Sequence, residues 1–280
     1  MGEQVAQGSL DGRIRLVASD IDGTLIFRDG PQAVDERVLA CIRELARRGV
    51  PFVASSGRPY ANLRRIFEPV AEHVLCLCEN GTLVMGGDGP LLQRGLPRDE
   101  ALAICHEIMA YPGASPLVNC IEAGYVLEST PWLADLMHKR MGTPFELVAR
   151  PEDVAADILK VAFYIEPELL DAAFEYFTRL FEGRFAVTVS GLHWIDVLPL
   201  GVNKGTAMAA LGRELGIEVA DMAAFGDNLN DAELLDLVGH PFLMASGRIE
   251  LRSLNERIRV CESVHGELER LLACEGAIGC

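Results

Sequence analysis

Four short apolar runs recur along the chain, and each stops on small polar or acidic residues. Ile14-Arg15-Leu16-Val17-Ala18-Ser19 ends at Asp20, Pro51-Phe52-Val53-Ala54-Ser55 at Ser56, Val74-Leu75-Cys76-Leu77-Cys78 at Glu79, and Met222-Ala223-Ala224-Phe225 at Gly226-Asp227. Runs this short and continuous read as strands buried on both faces. Helical patterns lie between them: Val38, Leu39, Ile42, Leu45 and Ala46 share one helix face, and Gly49 is placed to end that helix. Lys204–Leu215 reads as another helix, with Gly216 as its stop. Buried strands alternating with amphipathic helices predict an α/β fold, a doubly wound Rossmann-like parallel sheet.

The pattern changes in the middle of the chain. Residues 86–192 are broken by glycines and prolines, with a helix expected over 167–182 and strands over 160–165 and 184–189. The alternation in Phe185-Ala186-Val187-Thr188-Val189 suits a sheet with one exposed face. An inserted α+β domain is therefore expected at 86–192, inside a core made of residues 1–85 and 193–280. The length of 280 residues agrees with two domains of about 150 each.

Composition narrows the class. Half of the residues are hydrophobic and 24% are charged, which supports a packed core. The net charge of −16 argues against a nucleic-acid partner, although local cations and backbone N–H groups can still hold one phosphate. No run reaches the roughly 18 apolar residues of a membrane-spanning helix. The start, MGEQVAQGSLDGRIR, lacks a basic segment followed by an apolar one, so a polar lead-in is expected rather than a secretory signal. Cys41, Cys76, Cys78, Cys105, Cys120, Cys261, Cys274 and Cys280 form no C-x-x-C pair, which favours reduced thiols in a cytoplasmic protein over zinc ligation. Cys274 and Cys280, near the end of the chain, are the ones expected to oxidise.

The residues that carry chemistry sit where the strands end. Asp20 and Asp22, in Asp20-Ile21-Asp22-Gly23-Thr24-Leu25, are carboxylates at i and i+2 and fall on one side of an extended backbone. So close a pair raises both pKa values unless a cation intervenes, which points to a divalent metal or to one protonated partner. Gly23 permits a turn that brings backbone N–H groups towards an anion. Ser55-Ser56-Gly57-Arg58-Pro59 offers a hydroxyl and a free N–H to a phosphoryl oxygen. Lys204 opens a helix, where a cation opposes the macrodipole and asks for an anionic partner. Asp227 and Asp231, in Phe225-Gly226-Asp227-Asn228-Leu229-Asn230-Asp231, add hard oxygen ligands suited to Mg2+.

Each feature alone has a plainer reading: a capping turn for the aspartates, an N-cap for Ser56, a solvated surface lysine for Lys204. Their order, each at a strand end or helix start, is what makes the set specific. Other candidates are weaker. His193, in His193-Trp194-Ile195-Asp196, reads as an edge-strand residue at the return to the core. His106, His138 and His240 lack zinc spacing. Phe163, Phe174, Phe177 and Phe181 read as the core of the insertion, and the acidic run 262–269 as a solvated helix face.

Taken together, the four stretches resemble the motifs of the haloacid dehalogenase (HAD) superfamily of phosphohydrolases, most closely its Cof-type, sugar-phosphatase-like branch. Asp20-Ile21-Asp22-Gly23-Thr24-Leu25 matches the first motif, Ser56 the second, Lys204 the third and Gly226 to Asp231 the fourth. Glu79-Asn80-Gly81 matches the branch's turn after the third strand, and the insertion resembles its large α/β cap. Two details depart from the pattern. Ser56 replaces the usual threonine, and Met244-Ala245-Ser246-Gly247 stands where the branch often has M-G-N-A.

The resemblance implies a Mg2+-dependent phosphatase. Asp20 would attack phosphorus and form an aspartyl-phosphate, with Asp22 as general acid and then base. Asp20, the Asp22 backbone carbonyl and Asp227 would hold Mg2+. Ser56, the Gly57 N–H and Lys204 would hold the phosphate, with Arg58 and Asn80 also among the phosphate-binding residues. Asp231 and Asn230 would orient Lys204 or metal-bound water. A cap over the site implies a small phosphorylated metabolite: sugar phosphates first, then glycosyl-acid phosphates such as mannosylglycerate phosphate, sucrose phosphate, and nucleotide-like cofactors. Two alternatives stay open: phosphoryl transfer to another acceptor, as in mutase-like relatives, and a non-catalytic phosphometabolite-binding protein. The sequence leaves the oligomeric state open.

Overall fold

The computed structural model describes residues 13–27, 33–142, 145–191 and 193–273. In chain order, the first stretch contains β1 (Leu16–Ser19), α1 (Glu36–Arg47), β2 (Phe52–Ser55), α2 (Tyr60–Ile66), β3 (Val74–Cys78), β4 (Leu83–Gly86) and β5 (Gly89–Gln93). The middle contains α3 (Arg98–Ala110), β6 (Ser115–Cys120), β7 (Gly124–Leu127), α4 (Pro131–Met141), β8 (Phe145–Val148), β9 (Ile158–Tyr164), α5 (Pro167–Leu180), β10 (Phe185–Gly191) and β11 (Trp194–Pro199). The last stretch contains α6 (Lys204–Leu215), β12 (Met222–Gly226), α7 (Ala232–Leu237), β13 (His240–Met244), β14 (Arg259–Cys261) and α8 (Val264–Ala273). Two compact units result, one from residues 1–56, 63–92 and 203–280, the other from 57–62 and 93–202.

The first unit is built on an eight-stranded sheet in the order β14-β13-β12-β1-β2-β3-β4-β5. The six strands from β14 to β3 are parallel, and β4 turns back antiparallel to β3. From β1 the chain runs outward through β2 and β3, then returns to add β12, β13 and β14 on the other side. The order reverses between β1 and β12, where open α/β sheets bind ligands beyond the strands' carboxyl ends. Leu16, Ala18, Val53, Leu77, Ala224 and Leu243 pack with Ala207, Met208 and Leu211 of α6 and Leu234 and Leu235 of α7. Each fully buried aliphatic side chain of this kind contributes about 1.5–3 kcal/mol. The helix over Val38 to Ala46 forms as α1, capped where Asp35 accepts the Arg37 N–H at 2.8 Å.

The second unit holds a six-stranded sheet in the order β10-β11-β9-β6-β7-β8, antiparallel except for the β7–β8 pair. One face carries α3 and α5 on a core that includes Ile104, Ile108, Phe163, Phe177, Phe181 and Ile195, with Phe174 against it. Alternation turns Leu117, Ala162 and Trp194 to the other face, where they pack with Val126 and with Leu133 and Met137 of α4.

The expected division of the chain shifts at both ends. β4 and β5 extend the first sheet, so the second unit's main segment starts at Gln93 rather than at 86. β11 lies between β10 and β9, so the return comes at Asn203 rather than at 193. His193 is therefore not at a return to the core. It stacks on Tyr164 inside the second unit, with centroids 4.9 Å apart and rings 8° from parallel. The strand expected to expose one face, β10, is an edge strand, and Ala186 to Ser190 are all half-buried. Among the described residues, no helix is long and apolar enough to cross a membrane, and Cys41, Cys76, Cys78, Cys105, Cys120 and Cys261 are buried free thiols. Cys274 and Cys280, and most of the N-terminal lead-in, lie outside the described residues.

Candidate active site

β1 is wholly buried and delivers Asp20 to its carboxyl end, where the Asp20 N–H donates to the Phe225 carbonyl of β12 at 2.9 Å. The chain then leaves the extended conformation. The Ile21 carbonyl accepts the Leu25 and Ile26 N–H groups at 2.9 and 2.8 Å, and Gly23 adopts φ +91°. A Cβ at Gly23 would stand 2.2 Å from Asp227 Oδ2, so glycine lets this turn lie against Asp227. The Thr24 hydroxyl donates to Asp227 Oδ1 at 3.2 Å.

α6 brings in the cation. Asn203 caps the helix by accepting the Thr206 N–H at 2.8 Å, and Lys204 follows in the first turn with no exposed surface. Its Nζ donates to Asp20 Oδ1 at 2.5 Å and to Asp231 Oδ1 at 2.6 Å. Asp231 Oδ2 accepts the N–H groups of Asp227 and Asn228 at 3.0 and 3.1 Å. Asp231 thus ties the lysine to the loop after β12. The turn after β13 supports the same loop, because the Arg248 N–H donates to the Asp227 carbonyl at 2.8 Å.

A third element closes on Ser56. Its N–H donates to the Leu77 carbonyl at 2.9 Å, and its own carbonyl accepts the Asn80 N–H at 3.0 Å. Glu79, Asn80 and Gly81 have φ of 51°, 56° and 103°, a conformation costly for the two that are not glycine. Asn230 donates its amide N–H to Asn80 Oδ1 at 3.1 Å. Asn230 therefore holds Asn80.

Three carboxylates crowd one ammonium. Oxygens of Asp20, Asp227 and Asp231 lie within 4.8 Å of one another. Burial pushes the Asp20 carboxyl well above its ordinary range; Lys204 opposes this, while Asp231 and Asp227 add to it. Burial and then Asp231 push Asp227 up to about 6. Burial works against charge on Lys204, but Asp20 and Asp231 outweigh it and hold the ammonium above its usual value. The surplus of negative charge and the all-oxygen donor set suit a hard divalent cation. Both oxygens of Asp231 are engaged within the protein, so Asp20 and Asp227 are the side chains fitted to hold it.

Asp22 lies in the turn itself. Asp20 is buried while Asp22 is exposed in the turn, because the backbone is no longer extended after β1. The carboxylates that raise Asp20 come from the distant loop after β12. Gly57 and Arg58 belong to the second unit, where the Arg58 guanidinium donates to Asn62 Oδ1 at 2.9 Å. Thr24, Asn203 and Arg248 were not singled out from the sequence; the roles of Thr24 and Arg248 rest on contacts between distant segments, whereas the Asn203 cap is a local signal.

A sequence model of the haloacid dehalogenase-like hydrolases matches residues 17–266. The chain belongs to that family. The HMP-PP phosphatase of Serratia proteamaculans (strain 568) is 31% identical over 248 residues, 88% of this chain and 89% of that protein. The HMP-PP phosphatase of Cronobacter sakazakii is 29% identical over 85% of this chain and 86% of that protein. Among solved structures, a protein of Streptococcus mutans UA159 has the same fold with a TM-score of 0.81 at 22% identity, covering 94% of this chain and all of that one. A haloacid dehalogenase-like hydrolase from B. subtilis gives 0.79 at 20% identity, covering 92% and 99%. The protein is thus a HAD-superfamily phosphatase, a phosphomonoester hydrolase with a Rossmann-like core.

Proposed function

We propose that the protein hydrolyses a small phosphorylated metabolite, with Mg2+ as its metal and Asp20 as its nucleophile. The observation that carries this reading is Lys204, buried and bonded to both Asp20 and Asp231 with Asp227 beside them. An ammonium so placed steadies the Asp20 carboxylate before attack and faces the negative charge that gathers on the phosphoryl oxygens during it. Asp20 and Asp227 would hold Mg2+, joined by the Asp22 backbone carbonyl. When bound, the metal would neutralise charge between nucleophile and phosphate.

An Asp20 carboxylate oxygen attacks phosphorus, and the bond from phosphorus to the leaving oxygen breaks. Asp22 gives its proton to that oxygen. Water then attacks phosphorus of the aspartyl-phosphate, Asp22 takes its proton, and phosphate leaves. The exposure of Asp22 in its turn leaves it able to meet both leaving group and water. Ser56, the Gly57 N–H, Arg58 and Asn80 hold the remaining oxygens, and Asp231 and Asn230 hold Lys204 and Asn80 in register.

The relatives' activity makes HMP-PP the first substrate to test, followed by sugar and glycosyl-acid phosphates. Phosphate release from this panel, with Mg2+ and with a chelator, tests the reading. Turnover is expected only with the metal and is lost in Asp20→Asn. Full activity of Asp20→Asn would refute it.

A further inference from the structure

Lys160 is a buried lysine that the chemistry above does not use. It lies on β9, is 3% exposed, and sits at an irregularity in its sheet. Asn119 of β6 pairs with Lys160, but the next residue, Cys120, pairs with Ile158. Leu159 is therefore an extra residue on β9. Bulges of this kind re-aim the neighbouring side chain and recur beside active sites. Ile158, Val161 and Phe163 stay in the apolar core with α3 and α5. Lys160 instead joins Asp196, a β11 residue that shares its face with Trp194.

Lys160 Nζ donates to Asp196 Oδ2 at 2.7 Å and to the Gly57 carbonyl at 3.0 Å. The two side chains are 4% and 1% exposed. Taking both charges out of water carries a cost that their attraction recovers only with good geometry and further hydrogen bonds. The further bond here goes to Gly57. That carbonyl belongs to the planar peptide joining Gly57 to Arg58, whose N–H points the opposite way. Drawing the carbonyl towards Lys160 fixes the direction of the Arg58 N–H, and the charge-assisted bond polarises the whole peptide. This peptide follows Ser56 directly. In the β1–β2 register, Ser19 pairs with Ala54, so the end of β2 runs beside Asp20.

We propose that Lys160, held by Asp196, is a positioning residue that sets the Gly57–Arg58 peptide so that the Ser56-Gly57-Arg58 backbone meets the phosphoryl oxygens. It rests on the phosphatase mechanism proposed above. It acts on the part every substrate shares, the phosphate, and not on the leaving group.

The test compares Lys160→Met, Lys160→Arg, Asp196→Asn and the double variant Lys160→Met with Asp196→Leu. For each, kcat and KM are measured with p-nitrophenyl phosphate and with a bulkier sugar phosphate, and inorganic phosphate is titrated as a competitive inhibitor. Lys160→Met is expected to raise both KM values and the phosphate inhibition constant by one common factor, about tenfold or more, with a smaller fall in kcat. Lys160→Arg recovers part of the loss. The double variant regains thermal stability without regaining phosphate affinity. A folded Lys160→Met protein with phosphate inhibition within about twofold of the parent would overturn the proposal, as would a change confined to one substrate. If Lys160→Met does not fold, Lys160→Arg and Asp196→Asn decide by the same common-factor criterion. The parent mechanism stands or falls separately, on whether Asp20→Asn loses turnover.

Discussion

Replacing Lys204 with methionine tests the electrostatic core of the site. The side chain is fully buried, with Nζ 2.5 Å from Asp20 and 2.6 Å from Asp231, and methionine keeps most of its volume while removing the charge. Removing one partner from a buried pair costs about 3–5 kcal/mol, because the other charge is left uncompensated. Two carboxylates lose a partner here, and Asp20, already pushed up by burial, can escape by taking up a proton. That escape gives the loss a definite pH dependence. Without Lys204, which opposes the effect of burial, the folded-state pKa of Asp20 rises further. A carboxyl raised by folding favours the fold below its unfolded pKa, near 3.9, and loses that advantage as pH rises through the folded value. The metal-free variant should therefore lie closer to the parent at about pH 4 and fall the full 3–5 kcal/mol behind at about pH 8. At roughly 2–4 °C per kcal/mol for a chain of this size, the melting gap reaches about 6–20 °C. Urea unfolding in chelator at both pH values measures it. Adding Asp231→Asn removes one stranded charge and recovers part of the loss at the higher pH. A deficit below about 1 kcal/mol, or one equal at both pH values, would refute the reasoning. Turnover falls about two to three orders of magnitude, the usual result of deleting one donor to a developing oxyanion.

Two further outcomes follow from the same geometry. Asp227 titrates near 6, so the metal-free protein loses stability as pH rises from about 4 through that value, and the melting gain from saturating Mg2+ is larger at about pH 7.5 than at about pH 5; calorimetry with and without the ion checks this. In Gly81→Ala, a Cβ would stand 2.4 Å from the Asn203 carbonyl oxygen at φ +103°, so a loss of about 3 kcal/mol or more is expected in urea unfolding.

What could be read in advance was what is local. β1, β2, β3 and β12 announce themselves as short apolar runs, and Asp20, Ser56 and Asp227 are legible because each stands one or two residues beyond such a run or closes it. Lys204 is legible because a cation at a helix start is disfavoured without an anion. What stayed hidden depends on pairing between distant segments. Trp194-Ile195-Asp196-Val197-Leu198 is as apolar as a core strand, and only its ladder to β9 and β10 assigns it to the second sheet. Asn230 meets Asn80 across 150 residues of chain. Lys160 looks like an ordinary strand lysine until the bulge at Leu159 and the Gly57 carbonyl are known.

Asp22 shows why the distinction matters. The i, i+2 rule holds only while the backbone stays extended, and the turn closed by the Ile21 carbonyl ends that condition at once. The β1–β12 adjacency adds to the crowding anticipated within one hexapeptide. That adjacency sets Asp227 and Asp231 against Asp20 and leaves Asp22 in the turn. Asp20 is buried among charges and Asp22 is exposed, so the two can divide the work of nucleophile and proton carrier. Two aspartates side by side in one environment would have competed for the same proton.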